Sequence, residues 1–232
     1  MPPSDQQPDA QAVARAAAGL GRHLTPEQAG TISGYLALLA RFRSKVNLVG
    51  PADWETVLAT LVADSWHVAD FLSGPAGAAV LPPADRPVLG LDFGAGAGLP
   101  GIPLRAFFDR GEYVLLEARE KRAFFLAEAA ARLGLSGLSV AEGRVEDTVP
   151  GIVARHPDAF VLCVSRAFAP WPQFLALCRR IVRPPFAALT MTGEAPAEAE
   201  MPQGFVLAAR ASYRIGEKTR YLALFASSMA SM

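Results

Sequence analysis

The sequence predicts an α/β protein: a Rossmann-like, seven-stranded, mainly parallel sheet with an antiparallel last strand, preceded by an N-terminal helical extension. Three observations predict it. After residue 87, apolar runs of strand length alternate with segments of helical period. A glycine-rich segment, Gly94-Ala95-Gly96-Ala97-Gly98, follows the first such run and precedes a helix. The last two runs have room for only a turn through Gly216 between them, so they form a hairpin and the final strand runs antiparallel.

The elements follow in order. The Pro-, Gln- and Asp-rich residues 1–10 read as a frayed tail without the apolar core of a secretory signal. A first helix is expected over about 11–22. Thr25-Pro26-Glu27-Gln28 has the form of a capping box with proline at the first helical position, and Ile32, Leu36, Leu39 and Phe42 then recur at helical spacing. Arg41, Arg43 and Lys45 close this helix, where cations suit the dipole; an RNA contact is the alternative. Asp53 is expected to cap a third helix to about Leu72, with Val57, Leu61 and Val68 on one side. Asp64 and Ser65 fall between these positions, either at the edge of the helix face or lining a cleft, and the pattern alone favours the edge.

Residues 73–87 are rich in Gly, Pro and Ala and read as a linker, which divides the chain into an extension over 1–86 and a sheet domain over 87–232. Strands are expected at Val88–Phe93, Tyr113–Glu117, Leu138–Ala141, Ala159–Val164, Phe186–Met191, Phe205–Arg210 and Tyr221–Phe225. Helices are expected at about 101–109, 120–133, 149–155 and 171–182.

Composition bounds the function. The 232 residues are 51% hydrophobic and 19% charged, enough to bury a full core. Twenty-two basic residues balance 22 acidic ones, so any nucleic-acid surface must be a local patch. Candidates are Arg119, Lys121 and Arg122; Arg179, Arg180 and Arg183; and Arg210, Arg214, Lys218 and Arg220. Cys163 and Cys178 lie in apolar runs and read as buried thiols, too few for a zinc site or a disulfide framework. His23, His67 and His156 show no metal-ligand spacing. No apolar run approaches the ~20 residues of a membrane span. The expected compartment is the cytoplasm, and the expected state is a monomer.

The chemistry is carried by Leu91-Asp92-Phe93-Gly94-Ala95-Gly96-Ala97-Gly98-Leu99-Pro100-Gly101. Gly96, Gly98 and Gly101 match the dinucleotide pattern GxGxxG, which alone is weak evidence. Three carboxylates at strand ends point instead to S-adenosylmethionine (SAM). Asp92 precedes the loop and can face the sulfonium-methionine portion; Glu117 ends the second strand, where it can accept ribose hydroxyls; Glu146 follows the third, where SAM sites hold the adenine. Pro100 and Pro103 remove backbone N–H donors that a pyrophosphate would need, and SAM has no phosphate. Taken singly, Asp92 is equally a cap for the glycine turn, Glu117 a surface strand end and Glu146 a partner of Arg144.

At these residues the chain resembles the RsmG (GidB) family of small-subunit rRNA guanine-N7 methyltransferases. The likeness covers LDFGAGAGLPGIPL (91–104), LLEAREKRAFFLAEAAARLGL (115–135), EGRVED (142–147) and SRAFAP (165–170). Upstream, Asn47-Leu48 and Asp64-Ser65 are similar too. The resemblance implies a class I SAM-dependent methyltransferase fold, with 16S rRNA or the small ribosomal subunit as partner. It implies that Gly94 and Leu99 contact the cofactor, that Val145 and Glu146 hold the adenine, and that Arg166 helps close the site; Asp92, Gly96 and Glu117 join them on the argument above. The chain departs from the family pattern on the substrate side: Phe42-Arg43 replaces Trp-Asn, Leu61 replaces His, and Thr192 replaces Lys before Gly193.

Guanine N7 carries a free lone pair, so alignment suffices and no general base is required. The segment after the fourth strand lacks the Asp/Asn-Pro-Pro-aromatic signature of amino-group methylation, and neither cysteine lies in a loop where a C5 methyltransferase needs its nucleophile. Arg166 is the expected catalytic residue, a bidentate donor to SAM's carboxylate or to a substrate phosphate. Phe168 and Trp171 are expected to pack locally, with base stacking the alternative. Competing readings are a divergent SAM methyltransferase for another RNA or a small molecule, a non-catalytic SAM-binding or RNA-binding module, and an NAD-dependent oxidoreductase.

Overall fold

The computed structural model describes residues 8–43, 46, 48, 50, 53–183 and 185–228. Lys45 of the basic group and Asn47 of the Asn47-Leu48 pair lie outside them. Seven strands form one sheet: β1 (Val88–Phe93), β2 (Glu112–Glu117), β3 (Leu138–Glu142), β4 (Phe160–Arg166), β5 (Phe186–Thr192), β6 (Phe205–Ile215) and β7 (Lys218–Ser227). Their order is β3-β2-β1-β4-β5-β7-β6. The first five are parallel, and β7 is antiparallel to both β5 and β6. The order reverses between β1 and β4, which opens a crevice above their carboxyl ends where α/β sheets bind ligands.

Helices cover both faces. Helix α1 (Ala10–Gly19) starts on Asp9, whose side chain accepts from Ala12 N. Helix α2 (Pro26–Phe42) starts on the expected capping box, Thr25 and Gln28 bonding reciprocally. Asp53 accepts from Thr56 N and opens α3 (Trp54–Val57), which runs through a π-helical stretch, Leu58–Val62, into α4 (Ala63–Ser73). The expected linker contains a further helical turn, α5 (Pro75–Ala78), started by proline at its first position. Ile32, Tyr35, Leu36, Val62 and Trp66 of these helices share one core with Leu115, Leu162 and Leu189 of the sheet. Helices α6 (Gly101–Leu104) and α7 (Glu120–Leu133) complete this face. On the other face, α8 (Val145–Ala154) and α9 (Trp171–Ile181) cover Leu91, Phe93, Cys163 and Phe186. Cys163 and Cys178 are both free and buried there.

Five boundaries differ from expectation by three residues or more, four of them with a clear physical reason. The helix expected over about 101–109 stops at Leu104 because Arg105 turns back on the chain, donating to the carbonyls of Phe108, Asp109, Arg110, Gly111 and Ser136. The helix expected from 149 begins at Val145, where Glu146 and Asp147 in its first turn suit the positive end of the dipole. The hairpin strands extend to Ile215 and from Lys218, with Gly216 at φ +57 making the turn. The first helix ends at Gly19 rather than near 22.

Candidate cofactor and substrate cavities

Two cavities open along the crest of the sheet. The smaller, about 400 Å3, lies where the sequence placed the cofactor. Gly94, Glu117, Val145 and Glu146 line it, together with Ala167 and Phe168. Gly94 sits at φ +66, and a Cβ there would lie 2.7 Å from Cδ2 of Phe168, so only glycine lets the loop pass beneath this ring. Glu117 is buried, and its carboxylate is held by two backbone donors, Gly96 N to Oε2 and Arg119 N to Oε1, each at 2.9 Å. Those bonds fix the group while leaving acceptor capacity for a diol. Glu146 is half-exposed in the first turn of α8 and faces Arg180 at 3.7 Å rather than Arg144.

Gly96, Leu99 and Asp92 do not line this cavity. Gly96 is drawn to Glu117 through its N–H, and Leu99 is buried. Asp92 is not on the wall of either cavity. It lies beneath the loop, buried, accepting from Gly101 N at 3.2 Å and from the Tyr113 hydroxyl at 3.4 Å. Burial pushes its pKa up from the ordinary 3.8 to about 7, against the lowering effects of the Gly101 N–H, the Tyr113 hydroxyl and Arg166. Its visible work is to tie the glycine loop to the end of β1.

The larger cavity, about 910 Å3, spans the ends of β4, β5 and the β6–β7 hairpin. Arg166 lies on its wall, and its Nη2 stands 3.2 Å from Oδ2 of Asp64. Asp64, from α4, is 1% exposed. Its other oxygen accepts from the Tyr213 hydroxyl at 2.7 Å, 149 residues away in sequence. The Tyr213 ring stacks on His67 with centroids 4.1 Å apart. Burial, then the Asp64 charge, raises the Tyr213 phenol far above its ordinary range, so it remains a donor. Asp64 therefore belongs to the cleft and not to the edge of its helix face. What reveals this is a partner on a distant strand, which helical spacing does not encode.

Ala167 lines both cavities and holds φ +55, the one positive value among described non-glycine residues. Backbone held in that region gathers at ligand sites, where the surroundings over-determine it. Trp171 and Phe168 pack locally: Trp171 stacks on Phe225 at 5.3 Å, and Phe168 meets Phe93 edge-on at 5.8 Å. No group of His, Cys, Asp and Glu suited to a metal ion occurs among the described residues. No described helix is long and apolar enough to cross a membrane.

Known proteins resemble this chain in sequence and in fold. The family described as rRNA small subunit methyltransferase G (GidB) matches residues 28–204. The chain is 41% identical over 189 residues to the ribosomal RNA small subunit methyltransferase G of Nitratidesulfovibrio vulgaris, covering 82% of this chain and 81% of that one. It is 36% identical over 211 residues to the protein of that name from Oleidesulfovibrio alaskensis, covering 87% of each. Among solved structures, a point mutant of MtNAS in complex with S-adenosylmethionine superposes with TM-score 0.55 at 16% identity, over 95% of this chain and 78% of that chain. The N-terminal domain of human METTL16 in complex with SAH gives 0.52 at 13%, over 96% and 95%. These distant structures share the fold, a class I Rossmann-like sheet with helices on both faces. With a family match over residues 28–204 and relatives across most of its length, the chain belongs to the rRNA small subunit methyltransferase G family.

Proposed function

We propose that this protein is a SAM-dependent methyltransferase that places a methyl group on N7 of a guanine in the 16S RNA of the small ribosomal subunit, working as a monomer in the cytoplasm. The observation that carries the reading is the meeting of two cavities at Ala167, one with a cofactor cradle and one with Arg166, in a chain of this family. The cradle suits SAM on its own chemistry. Glu117 offers an oriented acceptor for a ribose diol, Gly94 lets the loop pass beneath Phe168 with no side chain of its own, and Val145 and Glu146 line the same cavity.

SAM, when bound, supplies a methyl group already activated on a positive sulfonium. The protein's residues then have three tasks. Glu117, Val145 and Glu146 orient the nucleoside end, with Phe168 over Gly94 screening it from water. Arg166, held by Asp64, presents a fixed guanidinium on the wall of the larger cavity for a carboxylate or a phosphate. The crest of β4 and β5 aligns the nucleophile with the methyl group, the main demand of attack by a neutral lone pair. No proton need be removed before attack, so the site calls for no general base.

The departures at Phe42 and Leu61 have a packing account. Phe42 meets Phe125 edge-on at 5.4 Å, and Leu61 packs half-buried against the core. Thr192 is different: it lies on the wall of the larger cavity, its hydroxyl donating to the Glu194 carbonyl at 2.7 Å. That position favours a divergent RNA target as the second reading.

The test is methyl transfer from radiolabelled SAM to small ribosomal subunits from cells lacking the protein, comparing wild-type and Arg166→Ala enzymes and identifying the nucleoside. Label in N7-methylguanosine at one site, lost in the variant, is the expected result. Incorporation should also fall steeply with salt. Label in another RNA, or none despite SAM binding, overturns the reading.

A further inference from the structure

The larger cavity contains two buried polar atoms without partners. Thr190, on β5, is 2% exposed, and its Oγ1 has no hydrogen-bond partner. Arg220, on β7, has a buried Nε without one. Both residues line the cavity, with Ser165 beside Thr190 in the β4–β5 register and Tyr213 beside Arg220 in the β6–β7 register. Buried polar atoms are satisfied in the great majority of cases, and an orphan on a cavity wall is what a ligand's polar atom satisfies. The two orphans differ in kind. A threonine hydroxyl both donates and accepts, as a heterocycle edge requires; a guanidinium takes an anion in two-pronged fashion. The volume, about 910 Å3, lies within the range of ligand cavities and exceeds that of the cofactor cradle.

We infer that this cavity receives the target guanine nucleotide itself, everted from its RNA strand, with the Thr190 hydroxyl bonding the edge of the base and Arg220 holding a flanking phosphate. The inference rests on the RNA methyltransferase reading above. In A-form RNA the N7 edge faces a deep, narrow major groove that side chains do not reach, so an everted nucleotide is what brings N7 to a buried methyl group, and this cavity adjoins the cofactor cradle through Ala167. Thr190 and Arg220 thus specify substrate, not cofactor.

The experiment compares wild-type, Thr190→Val and Arg220→Gln enzymes. It reads kcat and KM for small ribosomal subunits across a salt series, SAM affinity by calorimetry, and unfolding midpoints. Thr190→Val should raise KM for the subunit or lower kcat by about ten-fold, with SAM affinity unchanged, since one hydrogen bond to the base is lost. It should unfold no earlier than wild type, because its hydroxyl has no partner in the free protein. Arg220→Gln should weaken binding of the subunit and reduce the slope of log KM against log salt by about one. If either variant instead weakens SAM binding with subunit kinetics otherwise unchanged, the cavity serves the cofactor and the inference fails. Wild-type kinetics in both variants also overturn it. Failure of wild-type enzyme to methylate subunits at all would refute the functional reading instead, which keeps the two failures distinct.

Discussion

Replacing Asp64 with Asn removes one charge from a buried pair and little else. The side chain keeps its shape and retains an oxygen for the Tyr213 hydroxyl, which lies 2.7 Å from Oδ1. What is lost is the attraction to Arg166 across 3.2 Å, about 5 kcal/mol at an effective dielectric of ~20, offset in part by the water Asp64 gave up on burial. Breaking a fully buried pair from one side costs about 3–5 kcal/mol. Arg166 retains 18% side-chain exposure and recovers some hydration, so about 2–3 kcal/mol is the expected loss of stability. In urea that is a midpoint shift of ~1 M. Freed from Asp64, Arg166 no longer presents one geometry, and methyl transfer should fall with it. The assay is a double-mutant cycle of Asp64→Asn with Arg166→Gln in urea unfolding, with a coupling of about 2 kcal/mol expected. Tyr213→Phe, which leaves the ion pair and removes one hydrogen bond, should cost about 1 kcal/mol. A coupling below ~0.5 kcal/mol would show that the pair does not hold Arg166, because independent sites add within that limit.

Two further predictions concern the glycine loop. Asp92 is an acid whose folded-state pKa, about 7, stands above its ordinary 3.8, so the folded chain holds a proton that the unfolded chain has released between those values. Stability should therefore fall as pH rises from about 4 to 7 and level off above, a contribution of up to about 4 kcal/mol. Asp92→Asn, uncharged throughout, should lose that slope and at a pH of about 7.5 be at least as stable as wild type; a variant with the wild-type slope in urea unfolding would contradict it. Gly94→Ala puts a methyl group at φ +66 and against the Phe168 ring. It should cost about 1–2 kcal/mol and weaken SAM binding more than about ten-fold by calorimetry, whereas wild-type affinity would mean that the loop does not border the cofactor.

The fold was legible where local signals agree with one another. Val88–Phe93 is apolar but for Asp92 and buried throughout, and the helix Glu120–Leu133 is bounded by a left-handed Gly134, so both were readable to the residue. That Glu117 and Glu146 share one cavity was legible because strand ends in a parallel sheet converge on one crest, whereas Gly94 and Val145, which line it too, came from the family resemblance. Less legible was anything decided across the chain. Arg105 ends its helix by reaching carbonyls as far as Ser136, and Asp64 finds its role through Tyr213. Strand β6 continues past Arg210 because Ala211, Tyr213 and Ile215 keep facing the core while Arg214 faces out. That period of two was present in the sequence, but the polar residues on the outer face concealed it.

A crystal structure with S-adenosylhomocysteine would test the assignment of the two cavities at once. The expected complex has the ribose on the Glu117 carboxylate, the adenine beside Val145 and Glu146, and the amino-acid end reaching toward Arg166, with the larger cavity left free for RNA. A nucleoside seated in that larger cavity, against Thr190 and Arg220, would contradict it.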